Sequence, residues 1–340
     1  CTQTGGAVYL TQVTDVRADR CEFLNNGSLG TNSEDTGGLF ISGSPNVTVS
    51  DCDFEGNFCP GSGGALRFSN SEGDILRSRF IANSASAGGA LQIVGPSAGA
   101  NIYNSVFERN SARNAGAEDR EGGAILVNSG FPEVYVYNSL FFENTAVTGG
   151  AIAADIEGEI FVFNSTFVGN DADALGGAVR RLSTSADVVI NNSIVTGNIP
   201  TDSQIAIGGG GLDEVNFSIV EGGYNAAGVG NINADPMFTD AANGDFSIMA
   251  GSPAIDAGSS IRYALGPFSD LAGNDRVRDD PDTPDTGEVI LGAVVDIGAF
   301  EFAADASNPI DPCPADIDAD DLIDLDDLLT VLGQFGNTCP

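Results

Sequence analysis

Along the first two hundred residues, apolar and polar positions alternate in runs of about strand length. Residues 101–107 (NIYNSVF), 134–141 (VYVYNSLF), 160–167 (IFVFNSTF) and 188–195 (VVINNSIV) are examples. β-Branched and aromatic residues dominate them, a composition that suits a pleated, half-buried strand rather than a helix. Two short tags recur between the runs. A Phe or Val followed three residues later by Asn occurs at Phe23/Asn26, Phe54/Asn57, Phe80/Asn83, Phe107/Asn110, Phe141/Asn144, Phe167/Asn170 and Val195/Asn198, at spacings of 31, 26, 27, 34, 26 and 28. A Gly-Gly pair opens at Gly5, Gly37, Gly63, Gly88, Gly122, Gly149 and Gly176, in strict alternation with the first tag. Self-similarity at this period predicts stacked coils, each of two or three short strands: a parallel β-helix.

The pattern assigns directions. The residue read after each Gly-Gly tag, Val8, Phe40, Leu66, Leu91, Ile125, Ile152 and Val179, is apolar in every copy and is expected to point inward, its successor outward. Stacked Phe tags predict an internal aromatic column. Asn26, Asn57, Asn83, Asn110, Asn144, Asn170 and Asn198 are expected at turns, where Asn tolerates left-handed dihedrals and its amide can bond the coils above and below. Asn104, Asn138, Asn164 and Asn192 form a second row. Eight or nine coils would make a rod roughly 40 Å long.

Composition supports short strands and tight turns: 45 glycines, and 13 basic residues that are all Arg. A net charge of -35 excludes nucleic acid and anionic membrane surfaces as partners and favours divalent cations. No stretch is long enough to cross a bilayer. Six cysteines without a CxxC pair or any His argue against zinc and for disulfides, hence for secretion. Proximity suggests Cys313 with Cys339, Cys52 with Cys59 and Cys1 with Cys21, among 15 pairings. Glycosylation sequons stand at Asn26, Asn46, Asn164, Asn191 and Asn216.

Past residue 208 the repeat gives way to 218–223 (SIVEGG), 231–238 (NINADPMF), 252–258 (SPAIDAG) and 296–301 (DIGAFE). This resembles the choice-of-anchor segment that ends secreted bacterial β-helix proteins, notably of planctomycetes, while the upstream coils resemble polymorphic outer-membrane-protein repeats. The resemblance implies an all-β, right-handed parallel β-helix of the pectin-lyase-like kind over residues 1–220. A β-rich segment over 221–305 would cap its open end, and a tail would occupy 306–340.

That tail carries the clearest chemistry. Asp316, Asp318, Asp320, Asp324 and Asp327 fall at positions 1, 3, 5, 9 and 12 of a calcium loop, with the Leu322 carbonyl at position 7. Leu328, Leu332 and Phe335 mark one face of a short exiting helix. Asp321 stands where the sharp turn usually takes Gly, and Asp327 where Glu is usual; the latter resembles dockerin-type loops. Ca2+ is the cofactor expected.

Parallel β-helices include pectin-degrading enzymes, so catalysis must be weighed. The candidate clusters are Arg180 and Arg181 beside Asp155, and Arg67, Arg77 and Arg79. Neither makes a recognisable acid–base set, and the chain has no His. The reading is therefore a non-enzymatic, calcium-stabilised extracellular or cell-surface protein whose ends pair with neighbouring copies head to tail, forming filaments. The alternative is a polysaccharide-degrading or carbohydrate-binding β-helix with an extracellular glycan as partner.

Overall fold

A computed structural model of the chain describes residues 6–28, 36–113, 120–207, 213–224, 227–263, 269–289 and 294–302. The tail and its helix lie outside these residues. Over the described residues the chain winds into an all-β, right-handed parallel solenoid of about 7 turns, with Ser260–Tyr263 as its single short α-helix. Each turn lays strands on three parallel sheets, each eight strands deep. One turn reads Leu91–Val94 on the first sheet, Gly99–Tyr103 on the second and Val106–Glu108 on the third. Its successor reads Ile125–Asn128, Glu133–Tyr137 and Leu140–Phe142, and pairs with it strand for strand: Leu91 opposite Ile125, Ile102 opposite Val136, Phe107 opposite Phe141.

Identical positions in successive turns therefore stack, and the interior consists of columns. Phe23, Phe54, Phe80, Phe107, Phe141 and Phe167 form one, with near-parallel rings 4.6–4.9 Å apart. Five of these rings are wholly buried, and Val195 continues the column. Each such ring contributes roughly 1.5–3 kcal/mol of transfer free energy.

The polar ladders run beside it. The side-chain amide of Asn110 donates to Asn144 Oδ1 (2.9 Å) and to the Phe80 carbonyl (2.8 Å), and its Oδ1 accepts the Asn83 backbone N–H (3.0 Å) and side-chain amide (3.0 Å). The same set recurs from Asn57 to Asn170, and at the end Gln204 Oε1 takes the place of the next Asn, receiving both Asn198 donors. The left-handed residue at this corner is the one before the Asn, as at Asn25, Ala82, Arg109 and Glu143 (φ 50s), and not the ladder Asn itself. The N–H of each ladder Asn instead donates to the amide oxygen of the next one, as Asn110 N–H does to Asn144 Oδ1 (3.0 Å).

A second ladder was hidden in the Asn-Ser pairs. Each N–H of Ser78, Ser105, Ser139, Ser165 and Ser193 donates to the next Oγ in the column (3.0–3.2 Å), and each of these hydroxyls donates to the carbonyl two residues back. Cys21 and Cys52 occupy the first two positions of this column, where Cys21 N–H meets Cys52 Sγ at 3.4 Å. Cys52 and Cys59 are not bonded to each other, contrary to the expected pairing, because Cys52 is held in the Ser column while Cys59 follows the Asn ladder. Cys1, Cys313 and Cys339 lie outside the described residues.

The long apolar runs are each two strands, not one. Asn104, Asn138, Asn164 and Asn192 sit at the bend with φ of 47–49°, a conformation Asn tolerates better than most residues. The Gly-Gly tag has two separate causes. Gly122 is left-handed (φ 64°), whereas a Cβ on Gly123 would lie 2.0 Å from the Gly150 carbonyl oxygen of the next turn. The second copy of the tag is read one residue off: Leu39, not Phe40, pairs with Val8 and Leu66 and points inward. Phe40 faces outward, stacked on Tyr9 (4.8 Å) with the Arg67 guanidinium over its ring at 5.6 Å.

Outward does not mean exposed. Phe40, Arg67, Gln92, Leu126 and Ala153 follow one another on the outside of the first sheet, and all are buried. Ala87 and Leu182 pack against Leu126 and Ala153 there.

The sequence reading puts the C-terminal segment over the open end. Its start does lie there: Val229 O accepts Phe217 N–H, and Ile232 pairs with Ile219. The described residues between 235 and 302, however, lie along the outside of the third sheet as a strap. Ile248, Ile255, Ala257 and Ile297 pack on Ile194 and Ile219, and Phe246 meets Phe142 edge-on at 4.9 Å.

Candidate functional site

The strap is fastened to the corner row of asparagines. Asn104 Nδ2 donates to the Asp270 carbonyl (2.7 Å), Asn138 Nδ2 to the Ser269 carbonyl (2.7 Å), and Asn164 Nδ2 to the Asp296 carbonyl (3.3 Å). Asn192 donates to the Ser259 carbonyl (3.1 Å) and accepts the Ser259 N–H (2.7 Å). The row is thus a docking rail more than a ladder. In earlier turns, where the strap makes no such bonds, its places are held by Arg20, Asp51 and Arg77.

Inside the strap lies a buried cluster of charge. Arg276 is fully buried and its NH2 group donates to the carbonyls of Asp296 (3.2 Å) and Gly298, while NH1 lies 3.3 Å from Glu301 Oε2. Asp256, Asp270, Asp280, Asp296 and Glu301 are buried around it. Most of their oxygens serve as caps for backbone. Asp296 accepts the N–H groups of Asp256 (2.7 Å) and Phe302; Asp270 accepts those of Ala272, Asn274 and Glu301 (2.7–2.9 Å). Asp256 comes from the 252–258 motif, and Asp296 and Glu301 from the 296–301 motif. Those motifs therefore spell out one network, which sequence reading treated only as a signature.

Five buried carboxylates against one guanidinium leave excess negative charge, and the network answers by holding protons. Burial, reinforced by the Asp296 charge, pushes Asp256 up to about 7. Burial likewise raises Asp296 to about 6 against the pull of its N–H donors and Arg276, and pushes Glu301 well above the usual carboxylate range. A carboxyl whose pKa is raised on folding binds more protons in the folded state, so its stabilisation is complete below the unfolded value and is lost as pH rises through the folded one. Asp19 and Asp51, held low by bonds from Ser50 and Arg77, act in the opposite sense, but they are solvent-screened. In chelator, the strap should therefore lose stability between about pH 4 and pH 7. Hydrogen-exchange protection factors of residues 294–302, normalised to the intrinsic rate at each pH, measure this, and greater protection at the higher pH would contradict it.

The remaining candidates are engaged elsewhere. Arg77 grips Asp51 through two bonds (2.8 and 2.7 Å), Arg79 pairs with Asp53 (3.5 Å), and buried Arg181 pairs with Asp213 (2.6 Å). Arg180 donates to the Ala206 carbonyl (3.2 Å). Of the sequons, Asn164, Asn191 and Asn216 are buried, Asn26 is half-buried, and Asn46 is exposed. The calcium loop expected from the sequence, Asp316, Asp318, Asp320, Leu322, Asp324 and Asp327, lies outside the described residues. No helix among the described residues is long and apolar enough to cross a membrane.

No curated protein matches the sequence. Residues 1–141 match the family model described as right handed beta helix region, and the strand order carries the same winding on to residue 220. Over its described residues the chain folds as a right-handed parallel β-helix of stacked repeats.

Proposed function

We propose that this protein is a non-enzymatic structural element of the cell exterior, a calcium-stabilised rod that assembles head to tail. The observation that supports this reading is that the chain covers its own outer faces. The strap covers the third sheet from Leu140 to Ile219, and the outward row of the first sheet is buried from Phe40 to Ala153. On the second sheet Tyr135 stacks on Phe161 (4.8 Å), and Tyr137 lies between Tyr103 (5.3 Å) and Phe163 (5.0 Å). Stacked in this way, the rings give their faces to each other and their edges to solvent. A sugar recognised by stacking needs a ring face, so this strip disfavours the glycan-binding alternative.

Head-to-tail growth follows from the form of the rod. Among the described residues Val8–Thr11, Asp15–Asp19 and Glu22–Leu24 are the outermost strands of their sheets at one extreme, and strand edges are templates for another chain. Different surfaces meeting end to end make a heterologous contact, which propagates when rotation does not close it. Calcium enters through the loop at 316–327 and the overall excess of carboxylates. Negative-stain electron microscopy of the full chain with calcium and after chelation tests this. Filaments that disperse on chelation are expected; monomers under both conditions, with cleavage of a polysaccharide panel, would replace the reading with the enzymatic one.

A further inference from the structure

The acidic network has one loose end. Asp256 is wholly buried; its Oδ2 accepts the Asp280 N–H at 3.2 Å, while its Oδ1 is buried with no hydrogen-bond partner. A buried carboxylate oxygen left unpaired is costly, more so than a neutral one. Two exposed carboxylates, Asp279 and Asp285, bring oxygens to the same place, and the three ligand atoms all lie within 4.8 Å of one another. Three carboxylates this close repel unless a proton or a cation is shared among them, and a cation can also serve the unpartnered Oδ1. Arg276 is committed to Glu301 and to the carbonyls of Asp296 and Gly298.

We propose that Asp256, Asp279 and Asp285 form a binding site for a divalent cation, with Ca2+ as the occupant. The donors are all hard oxygens, and Ca2+ with ligands at about 2.3–2.6 Å holds oxygens up to roughly 5 Å apart across its shell. The smaller Mg2+ would draw them closer and prefers to keep its water.

The surrounding backbone presents these ligands. Asp256 sits in a left-handed conformation (φ 49°), and its carbonyl accepts the N–H groups of Thr286 (2.9 Å) and Gly287 (3.2 Å). The turn that carries Asp279 is closed by Asp280, whose Oδ2 accepts the Thr283 hydroxyl (2.7 Å) and whose carbonyl accepts the Thr283 N–H (2.9 Å). Asp280 is thereby occupied with the turn, while its neighbour Asp279 and the following Asp285 face Asp256. The ion would join an exposed turn to the buried loop at 254–258, beside Ser259 on the asparagine rail.

This site uses none of the residues of the loop at 316–327, and titration calorimetry of the full chain with CaCl2 distinguishes the two. The double variant Asp279→Asn/Asp285→Asn should lose one calcium equivalent, whereas Asp316→Asn/Asp318→Asn should keep it. Both strap positions are exposed, so the first variant is expected to retain its circular dichroism. A single variant, Asp285→Asn, should weaken the same equivalent at least tenfold and serves if the double variant misfolds. Calcium stoichiometry and affinity unchanged in the strap variants would overturn the proposal, as would loss of all binding in the tail variant. Filament formation is read independently by microscopy, so either result leaves the structural reading to its own test.

Discussion

Asn110→Ala should destabilise the rod by about 2–6 kcal/mol, whereas Asn26→Ala should cost less than about 1 kcal/mol. The Asn110 side chain makes all four hydrogen bonds open to it, two as donor and two as acceptor. Truncation strips the Asn83 N–H and one hydrogen of the Asn83 side-chain amide of their acceptor deep in the solenoid, where water cannot replace it. Each buried group so orphaned costs about 1–3 kcal/mol. Asn26, at the first position of the ladder, is half-buried and among the described residues its side chain only donates, and Asn57 Oδ1 keeps the Asn26 N–H after truncation. Equilibrium urea denaturation of both variants makes the comparison. Equal losses at the two positions would mean that the ladder does not act as a chain of mutually dependent bonds.

Replacing Arg276 by Ala should cost the strap about 3–5 kcal/mol, the usual result of removing one partner from a buried charge pair. Glu301 and Asp296 would keep their burial and lose the cation that offsets it. The damage should be local. Turns of a solenoid depend on their immediate neighbours, and the Phe column does not pass through the strap. Hydrogen exchange should therefore quicken at residues 254–260 and 294–302 while amides of Leu91–Val94 stay protected. Uniform acceleration across the molecule would show that strap and rod unfold together.

The columns were legible in the sequence because stacking repeats a chemical demand at every turn. Phe54, Phe80 and Phe107 meet the same environment, and so do Asn57, Asn83 and Asn110. The misreading of Phe40 has a local cause: the Ala of the tag is missing between Gly38 and Leu39, so counting from Gly37 overshoots by one. The strap was harder to see, because its partners are distant; Asn138 meets Ser269 across 131 residues. Yet the solenoid records its presence. On the outside of the third sheet one column runs Glu22, Asp53, Arg79, and then Val106, Leu140, Thr166, Ile194, Ile219. The corner column changes at the same turn, from Arg20, Asp51 and Arg77 to Asn104 and its successors. Charge gives way to apolar and amide side chains where another part of the chain arrives, a signal visible only once the register is known. The unpaired oxygen of Asp256 had no such trace, since nothing in a lone Asp shows that it will be buried.

The strap also sets a rule for how this protein can grow. Its bonds to Asn104, Asn138, Asn164 and Asn192 are made at successive turns and at fixed heights, like marks on a ruler laid against the rod. An inserted turn between residues 104 and 219 would move every mark beyond it by one strand spacing, and the strap would no longer reach both ends of its rail. A turn inserted before residue 104 would move nothing. Length can therefore vary freely in the N-terminal part of the solenoid, while the strapped part is held to a fixed number of turns.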